Sequence, residues 1–232
     1  MYFSQKELQE KRVLHPKLSV EEQESLLKFY QNILLDFCSN FTPPMPSGVT
    51  HTALVYYKRF YVTHSVGDFH PKTILVTCVF LACKVMEFNV SLSQFVSNVK
   101  GDRQRAVNII LDNELVLMKG LDYRLGVVSP EKALNGLLLQ LKRPLSAEVI
   151  AAAQMELNLV MQTDACLVFS ASQLALSCLC FAGAGKEDDA LDSLFNQLEK
   201  DNRLSDVREA VWTLKRAPVA SGSVKSIEKK IY

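Results

Sequence analysis

Two charged residues in apolar surroundings are the side chains of this sequence best placed to do chemistry. Lys84 lies in "FLACKVMEF", near the end of a run from Ile74 to Met86 that otherwise holds one hydroxyl and small or apolar side chains. Glu114 lies in "DRQRAVNIILDNELVLMKGL", a stretch with helical spacing. Side chains three, four and seven residues apart line up on a helix, which places Glu114 on one face with Ile110, Leu111, Leu117, Met118 and Leu121.

Three interpretations of Lys84 and Glu114 follow from the residues alone. Each side chain could extend its charged end to water from the edge of a core. The two could instead pair with each other inside the protein. Alternatively, both charges lie at an apolar surface reserved for another protein, where buried charges must find partners.

Residues that could support catalysis or metal binding form no recognisable site. The histidines are scattered at positions 15, 51, 64 and 70, and no Ser, Cys or carboxylate pair has an activating context. The cysteines at 38, 78, 83, 166, 178 and 180 lie in apolar runs without C-x-x-C spacing, which predicts buried thiols. The segment "GAGK" at 183 lacks the first glycine and the final hydroxyl residue of a phosphate loop. We therefore expect no enzyme activity, no cofactor and no metal.

The composition is that of an ordinary globular protein. Of the 232 residues, 48% are hydrophobic and 22% charged, and 26 basic residues balance 25 acidic ones. Nucleic acid and anionic membranes are therefore not indicated as main partners. The charged start "MYFSQKELQEKRVL" and the lack of an apolar run of about 20 residues predict a soluble intracellular chain.

The apolar spacing is helical nearly throughout, and strand signals are scarce, which predicts an all-α fold. Five segments resemble N-terminal capping sequences, in which a Ser cap is followed by an acid, an amide or a proline. They are "SQKE" at 4, "SVEE" at 19, "SLSQ" at 91, "SPEK" at 129 and "SASQ" at 170. Pro71 is expected to begin the helix that contains Lys84.

An internal repeat suggests two similar halves. A shift of 100 residues places "TILVTCVFLA" (73–82) against "QLALSCLCFA" (173–182), so that Cys78 meets Cys178. Lys84 then meets Ala184, so the repeated helix keeps its packing residues without the charge. Breaks in the helical pattern, among them the one around Thr163 and Asp164, combine with the repeat to predict two tandem five-helix domains joined near Gly126.

Four blocks of this sequence together resemble a cyclin box. They are "ALVYYKRFYVTHSV", "TCVFLACKVMEFNVS", "QFVSNV" and "DNELVLMKGLDYRL", and within the family the resemblance is to the cyclin H type. It implies two five-helix cyclin-box domains with short N- and C-terminal helices. The expected boundaries are 1–18 for the N-terminal helix, 19–126 for a kinase-binding box, 127–217 for a second box and 218–232 for a C-terminal helix or tail.

The resemblance also implies a site. In cyclins, residues at the positions of Lys84 and Glu114 hydrogen-bond the backbone of the kinase αC region. Met118, Leu121, Tyr123 and Leu125 fall on positions that pack against that helix. Met86 stands where similar sequences usually have an acid, and Glu87 is expected to cover that role.

The implied function is that of a non-catalytic activator of a cyclin-dependent kinase of the CDK-activating class. The implied partners are that kinase, a third assembly subunit and TFIIH, acting in the nucleus on cell-cycle kinases and on the RNA polymerase II C-terminal domain. The alternatives are a transcriptional cyclin of the C, K or T type and a TFIIB-like factor that binds DNA. Neither direct nucleic-acid binding nor membrane binding is expected, since acids and bases balance.

Overall fold

The computed structural model describes residues 2–141, 144–183 and 224–231. These ranges contain helices and no strand, which confirms the all-α prediction. No helix within them is long and apolar enough to cross a bilayer. The helices are α1 (Gln5–Lys11), α2 (Val20–Asn40), α3 (Ser47–Thr63), α4 (Pro71–Val85), α5 (Leu92–Ser97), α6 (Arg103–Gly120), α7 (Pro130–Gln140), α8 (Ala147–Met161), α9 (Ala165–Val168), α10 (Ala171–Gly183) and α11 (Val224–Ile231).

The predicted helix starts are largely confirmed. Ser4, Ser19 and Ser91 each form a capping box with the residue three positions later. Ser170 makes the same reciprocal hydrogen bonds with Gln173. Ser129 does precede α7, but its side chain makes no capping hydrogen bond.

Contacts divide the chain into two units, of which the first contains residues 3–127 and 218–232. The apolar helix α4 lies at its centre, in contact with α2, α3 and α6. The helix α11 packs on α2, where Ile227 is buried in the core of this unit. The hydroxyl of Tyr30 donates to Glu228, which fixes α11 at its polar edge.

The second unit contains residues 128–217. Its described helices are α7 to α10, and α10 packs against α7, α8 and α9. The core of this unit includes Leu134, Val149 and Leu179. The fifth helix of this predicted domain, and Ala184, lie outside the described residues.

The repeated helices α4 and α10 have equivalent interiors. Thr77 and Cys78 in α4, like Ser177 and Cys178 in α10, are fully excluded from solvent. All six cysteines are buried thiols, as their apolar context predicts. Burial raises the pKa of Cys38 to about 11 and that of Cys83 to about 12.

Candidate functional site

Lys84 and Glu114 form an ion pair at the surface of the first unit. Nζ of Lys84 donates to Oε1 of Glu114 at 2.6 Å. The Lys84 side chain is 51% exposed and that of Glu114 is 20% exposed. Of the three interpretations left open by the sequence, pairing is therefore observed, but at a boundary between core and solvent.

The helices α4 and α6 position this pair. Lys84 lies in the last turn of α4, and the two helices pack along each other in the core. Nζ of Lys84 also lies 5.2 Å from the centroid of the Phe80 ring, one turn earlier, in a cation–π contact. The charged group of Lys84 is thus held by Glu114 and Phe80 before any partner arrives.

The pair keeps hydrogen-bonding capacity. An ammonium group has three donors and a carboxylate has about four acceptor sites. Within the described residues each group uses a single hydrogen bond, the one that joins them. The arrangement can therefore donate to a carbonyl and accept from an N–H of the same partner backbone.

The α4 helix ends in a left-handed turn beside Lys84. The N–H of Phe88 donates to the carbonyl of Cys83, and that of Glu87 donates to the carbonyl of Lys84. This is the Schellman arrangement, which usually has glycine at the left-handed position. Here that residue is Glu87, with a φ of 55°.

The α6 helix ends in the same way. The N–H of Tyr123 donates to the carbonyl of Met118, and Asp122 occupies the left-handed position with a φ of 51°. Tyr123 also has a positive φ, of 56°, and the residue is 56% exposed. The hydroxyl of Tyr56 donates to the carbonyl of Leu125 at 2.5 Å, which anchors the segment after the turn.

The predicted site residues occupy different depths. Lys84, Glu87 and Tyr123 are exposed, and Glu114, Met118 and Leu125 are partly buried. Leu121 is only 5% exposed, so it supports the surface from within the core. Met86 packs against the core, and its Cε lies 3.1 Å from where a Cβ on Gly48 would stand.

One residue of the predicted apolar face of α6 lies elsewhere. Ile110 and Leu117 are fully buried, but Leu111 is 58% exposed. Leu115, which sequence reasoning missed, is 53% exposed one turn later. Most other exposed positions of α6 are polar or charged. The four-residue spacing of Leu111 and Leu115 was therefore the sequence signal that could have predicted an exposed apolar strip on this helix.

An all-helical unit with a charged pair at the end of a central apolar helix is the arrangement that the resemblance to a cyclin box implied. The cyclin N-terminal domain family matches residues 1–126. The chain therefore belongs to the cyclin family.

Within that family the chain is similar to Cyclin-H of Xenopus laevis. The two are 42% identical over 170 residues, which cover 70% of this chain and 53% of the Xenopus protein. Cyclin-H1-1 of Arabidopsis thaliana is 32% identical over 82% of this chain and 59% of its own length. The chain thus spans just over half the length of these two relatives. Cyclin-C of Drosophila melanogaster is 30% identical over 84% of this chain and 75% of its own length.

Two solved structures share the fold. A chain in the cryo-EM structure of the yeast TFIIK (Kin28/Ccl1/Tfb3) complex superposes with a TM-score of 0.76 at 23% identity, covering 93% of this chain and 96% of that one. A chain in the CAK complex of Chaetomium thermophilum bound to ATP-γ-S gives a TM-score of 0.72 at 23% identity, covering 99% and 84%.

Proposed function

We propose that this chain is the non-catalytic regulatory subunit of a cyclin-dependent kinase of the CDK-activating class. The observation that carries the proposal is the ion pair of Lys84 and Glu114 at the surface of a domain that belongs to the cyclin family. The similarity to Cyclin-H favours this kinase class over those of other cyclins.

The proposed contact is with the αC helix of the kinase. Lys84 donates to a backbone carbonyl and Glu114 accepts from a backbone N–H at one end of that helix. Tyr123, Met118 and Leu125 pack against its apolar side, and Glu87 lies at the polar edge. On helix α6 of this chain, which also carries Glu114 and Met118, Leu111 and Leu115 add exposed apolar surface.

Binding at αC would activate the kinase through its conformational equilibrium. Phosphoryl transfer needs the Lys–Glu ion pair of the kinase in place, and that pair depends on the position of αC. A surface that binds only the inward position shifts the population toward it. A shift from 1:99 to 99:1 requires about 5.5 kcal/mol of differential affinity.

The wider assignment rests on the relatives. One fold neighbour comes from a complex of Kin28, Ccl1 and Tfb3, and another from a CAK complex. By analogy, the chain would join a kinase and a third assembly subunit within TFIIH, in the nucleus. Its complex would phosphorylate cell-cycle kinases and the RNA polymerase II C-terminal domain. Because the chain is also similar to Cyclin-C, a different transcriptional kinase is the second candidate for its partner.

The test is reconstitution of the chain with candidate kinases, followed by an activity assay. Lys84→Ala combined with Glu114→Ala is expected to reduce kinase activation at least tenfold with little change in melting temperature. The matched control is Arg12→Ala with Glu24→Ala, since those side chains also pair, at 2.9 Å, with exposures of 20% and 51%. Full activation by the first variant, or an equal loss in the control, would overturn the proposed contact. Selective binding of another kinase class would overturn only the kinase assignment.

A further inference from the structure

Tyr123 and Leu125, two residues of the surface proposed to contact the kinase, lie after the end of α6. Residues 124–129 belong to no helix, so the hydrogen bonds of a helix do not fix the position of Leu125. Part of the proposed apolar contact therefore depends on the interactions that hold this segment in place.

The backbone of this segment is strained where it leaves α6. Asp122 and Tyr123 have positive φ values of 51° and 56° in succession. A left-handed conformation is unfavourable for a residue with a Cβ and is uncommon for a bulky one such as tyrosine. Such a conformation persists only where the surrounding contacts fix it.

Backbone hydrogen bonds hold the start of the segment. The N–H of Tyr123 donates to the carbonyl of Met118 at 2.9 Å, and the N–H of Leu125 donates to the carbonyl of Tyr123 at 3.1 Å. The first bond joins Tyr123 to α6, but the second lies within the segment itself. Neither bond joins Leu125 to another element.

Tyr56 supplies that link. Its hydroxyl donates to the carbonyl of Leu125 at 2.5 Å, across 69 residues of sequence. Tyr56 lies in the middle of α3 and is fully buried, and burial raises the pKa of its hydroxyl, which therefore remains a donor. The segment is thus tied to α6 at Tyr123 and to α3 at Leu125, whose side chain also packs against the core.

We propose that Tyr56 is a positioning residue of the kinase-binding surface. Its hydrogen bond to the Leu125 carbonyl holds the side chains of Tyr123 and Leu125 where they pack against αC. The inference rests on the proposed function, and Tyr56 acts through Leu125 without touching the kinase. A segment that is ordered in advance loses less conformational freedom on binding, so the kinase binds more tightly. If the segment adopted this conformation only part of the time, the apparent affinity would be reduced by that fraction.

A second tyrosine of α3 separates positioning from a general contribution to stability. Tyr61 is also buried, and its hydroxyl donates to the carbonyl of Phe69 at 2.8 Å. That bond holds the connection between α3 and α4, which contains none of the residues proposed to contact the kinase. Tyr56→Phe and Tyr61→Phe each remove one hydroxyl and keep the ring, so we expect both to lower the melting temperature by a similar amount.

The first measurement is amide hydrogen exchange of the full chain without a kinase. Tyr56→Phe should speed the exchange of residues 123–125 at least about threefold, because local opening of the segment then breaks one hydrogen bond fewer. Tyr61→Phe should change the exchange of these residues less than about 1.5-fold. Unchanged exchange in Tyr56→Phe, or equal acceleration in both variants, would overturn the proposal.

The second measurement is the affinity of the chain for the kinase that it activates. Tyr56→Phe should weaken binding at least about threefold, the scale of one hydrogen bond, and Tyr61→Phe less than about 1.5-fold. Tyr56→Phe should have a smaller effect in a chain that also carries Tyr123→Ala, because one of the positioned side chains is then absent. Additive effects of Tyr56→Phe and Tyr123→Ala, or equal weakening by Tyr61→Phe, would contradict the positioning role.

The variant of the ion pair distinguishes this inference from the proposed function. Lys84→Ala with Glu114→Ala is measured in parallel with Tyr56→Phe. Weaker binding by the ion-pair variant, with no change in Tyr56→Phe, would overturn the positioning role alone. Unchanged binding by every variant would overturn the kinase contact itself and the positioning role with it, whatever the hydrogen exchange of the free chain.

Discussion

Nζ of Lys84 lies 2.6 Å from Oε1 of Glu114, thirty residues away in sequence, so that one ion pair joins the end of α4 to the middle of α6. An exposed pair of this kind contributes at most about 1 kcal/mol to stability. Stability alone therefore gives little reason to hold two charges beside an apolar core.

Exchanging the two charges separates pairing from recognition. Lys84→Glu with Glu114→Lys restores an ion pair, and we expect a free energy of unfolding within about 1 kcal/mol of the original. Activation of the kinase should be lower than with the original chain, because the exchange places an acceptor at position 84 and a donor at position 114, the reverse of what the αC backbone requires. Thermal melting and kinase assays measure the two effects. Full activation by the exchanged pair would show that the ion pair matters only for the fold.

Glu87 occupies a left-handed position that glycine would adopt more easily. This conformation costs about 1 to 2 kcal/mol for a residue with a Cβ. Glu87→Gly should therefore raise the free energy of unfolding by about 1 kcal/mol in urea titrations, and lower kinase affinity through loss of the carboxylate.

The matched control for Glu87 is Asp122→Gly at the equivalent position of α6. Aspartate tolerates this conformation better, so the gain in stability should be smaller, and kinase affinity should be retained. Unchanged kinase affinity in Glu87→Gly would remove Glu87 from the proposed contact.

Gly120 and Gly136 are both helical, but their surroundings differ. Gly120→Ala places a methyl group 2.7 Å from the Phe60 ring, and we expect a loss of about 1 to 3 kcal/mol in unfolding free energy. Gly136→Ala meets nothing within 4 Å and should stabilise α7 by up to about 1 kcal/mol. Chemical denaturation measures both changes, and a stabilised Gly120→Ala would contradict the close approach of α3 and α6.

His70 should make stability depend on pH. Its Nδ1 accepts the N–H of Lys72 at the start of α4, which requires an unprotonated nitrogen. Burial lowers the pKa of His70, Lys72 lowers it further, and the negative charge of Glu228 opposes both. The folded state thus binds the proton less readily than the unfolded state, so this stability is complete above about pH 6.5 and is lost as pH falls through the lower folded pKa.

His70→Asn tests this assignment, because asparagine caps a helix without titrating. The melting temperature of the variant should fall less than that of the original chain between pH 7 and pH 5. Parallel pH profiles for the two proteins would exclude His70 as the source.

Helix positions were predictable because capping uses residues adjacent in sequence. Ser19 and Glu22 identify the start of α2 directly, because the Ser19 hydroxyl accepts the N–H of Glu22 and the Glu22 carboxylate accepts the N–H of Ser19. Asp102 and Ser146 cap α6 and α8 equally well, but no acid or amide three residues later marks them as capping boxes. The short helix α9 falls where the sequence suggested only a break near Asp164.

The site was only partly predictable, because its remaining properties depend on packing between helices. The sequence placed Lys84 and Glu114 near apolar neighbours, but helix periodicity could not decide whether they pair. The left-handed conformations of Glu87 and Tyr123 carry no sequence signal, since neither is glycine or asparagine. A cavity in the first unit is lined by Phe3, Arg59 and Arg124 from three separate segments, and a local sequence pattern cannot reveal such a grouping.

The docking of α11 on α2 has a consequence for biosynthesis. The ribosome synthesises residues 128–217 before residues 224–231, although residues 224–231 belong to the first unit. While the chain is being made, the apolar residues against which Ile227 packs therefore remain uncovered until the second unit has been synthesised. The first unit begins before the second but is completed after it, and a nascent chain exposes this apolar surface throughout that interval.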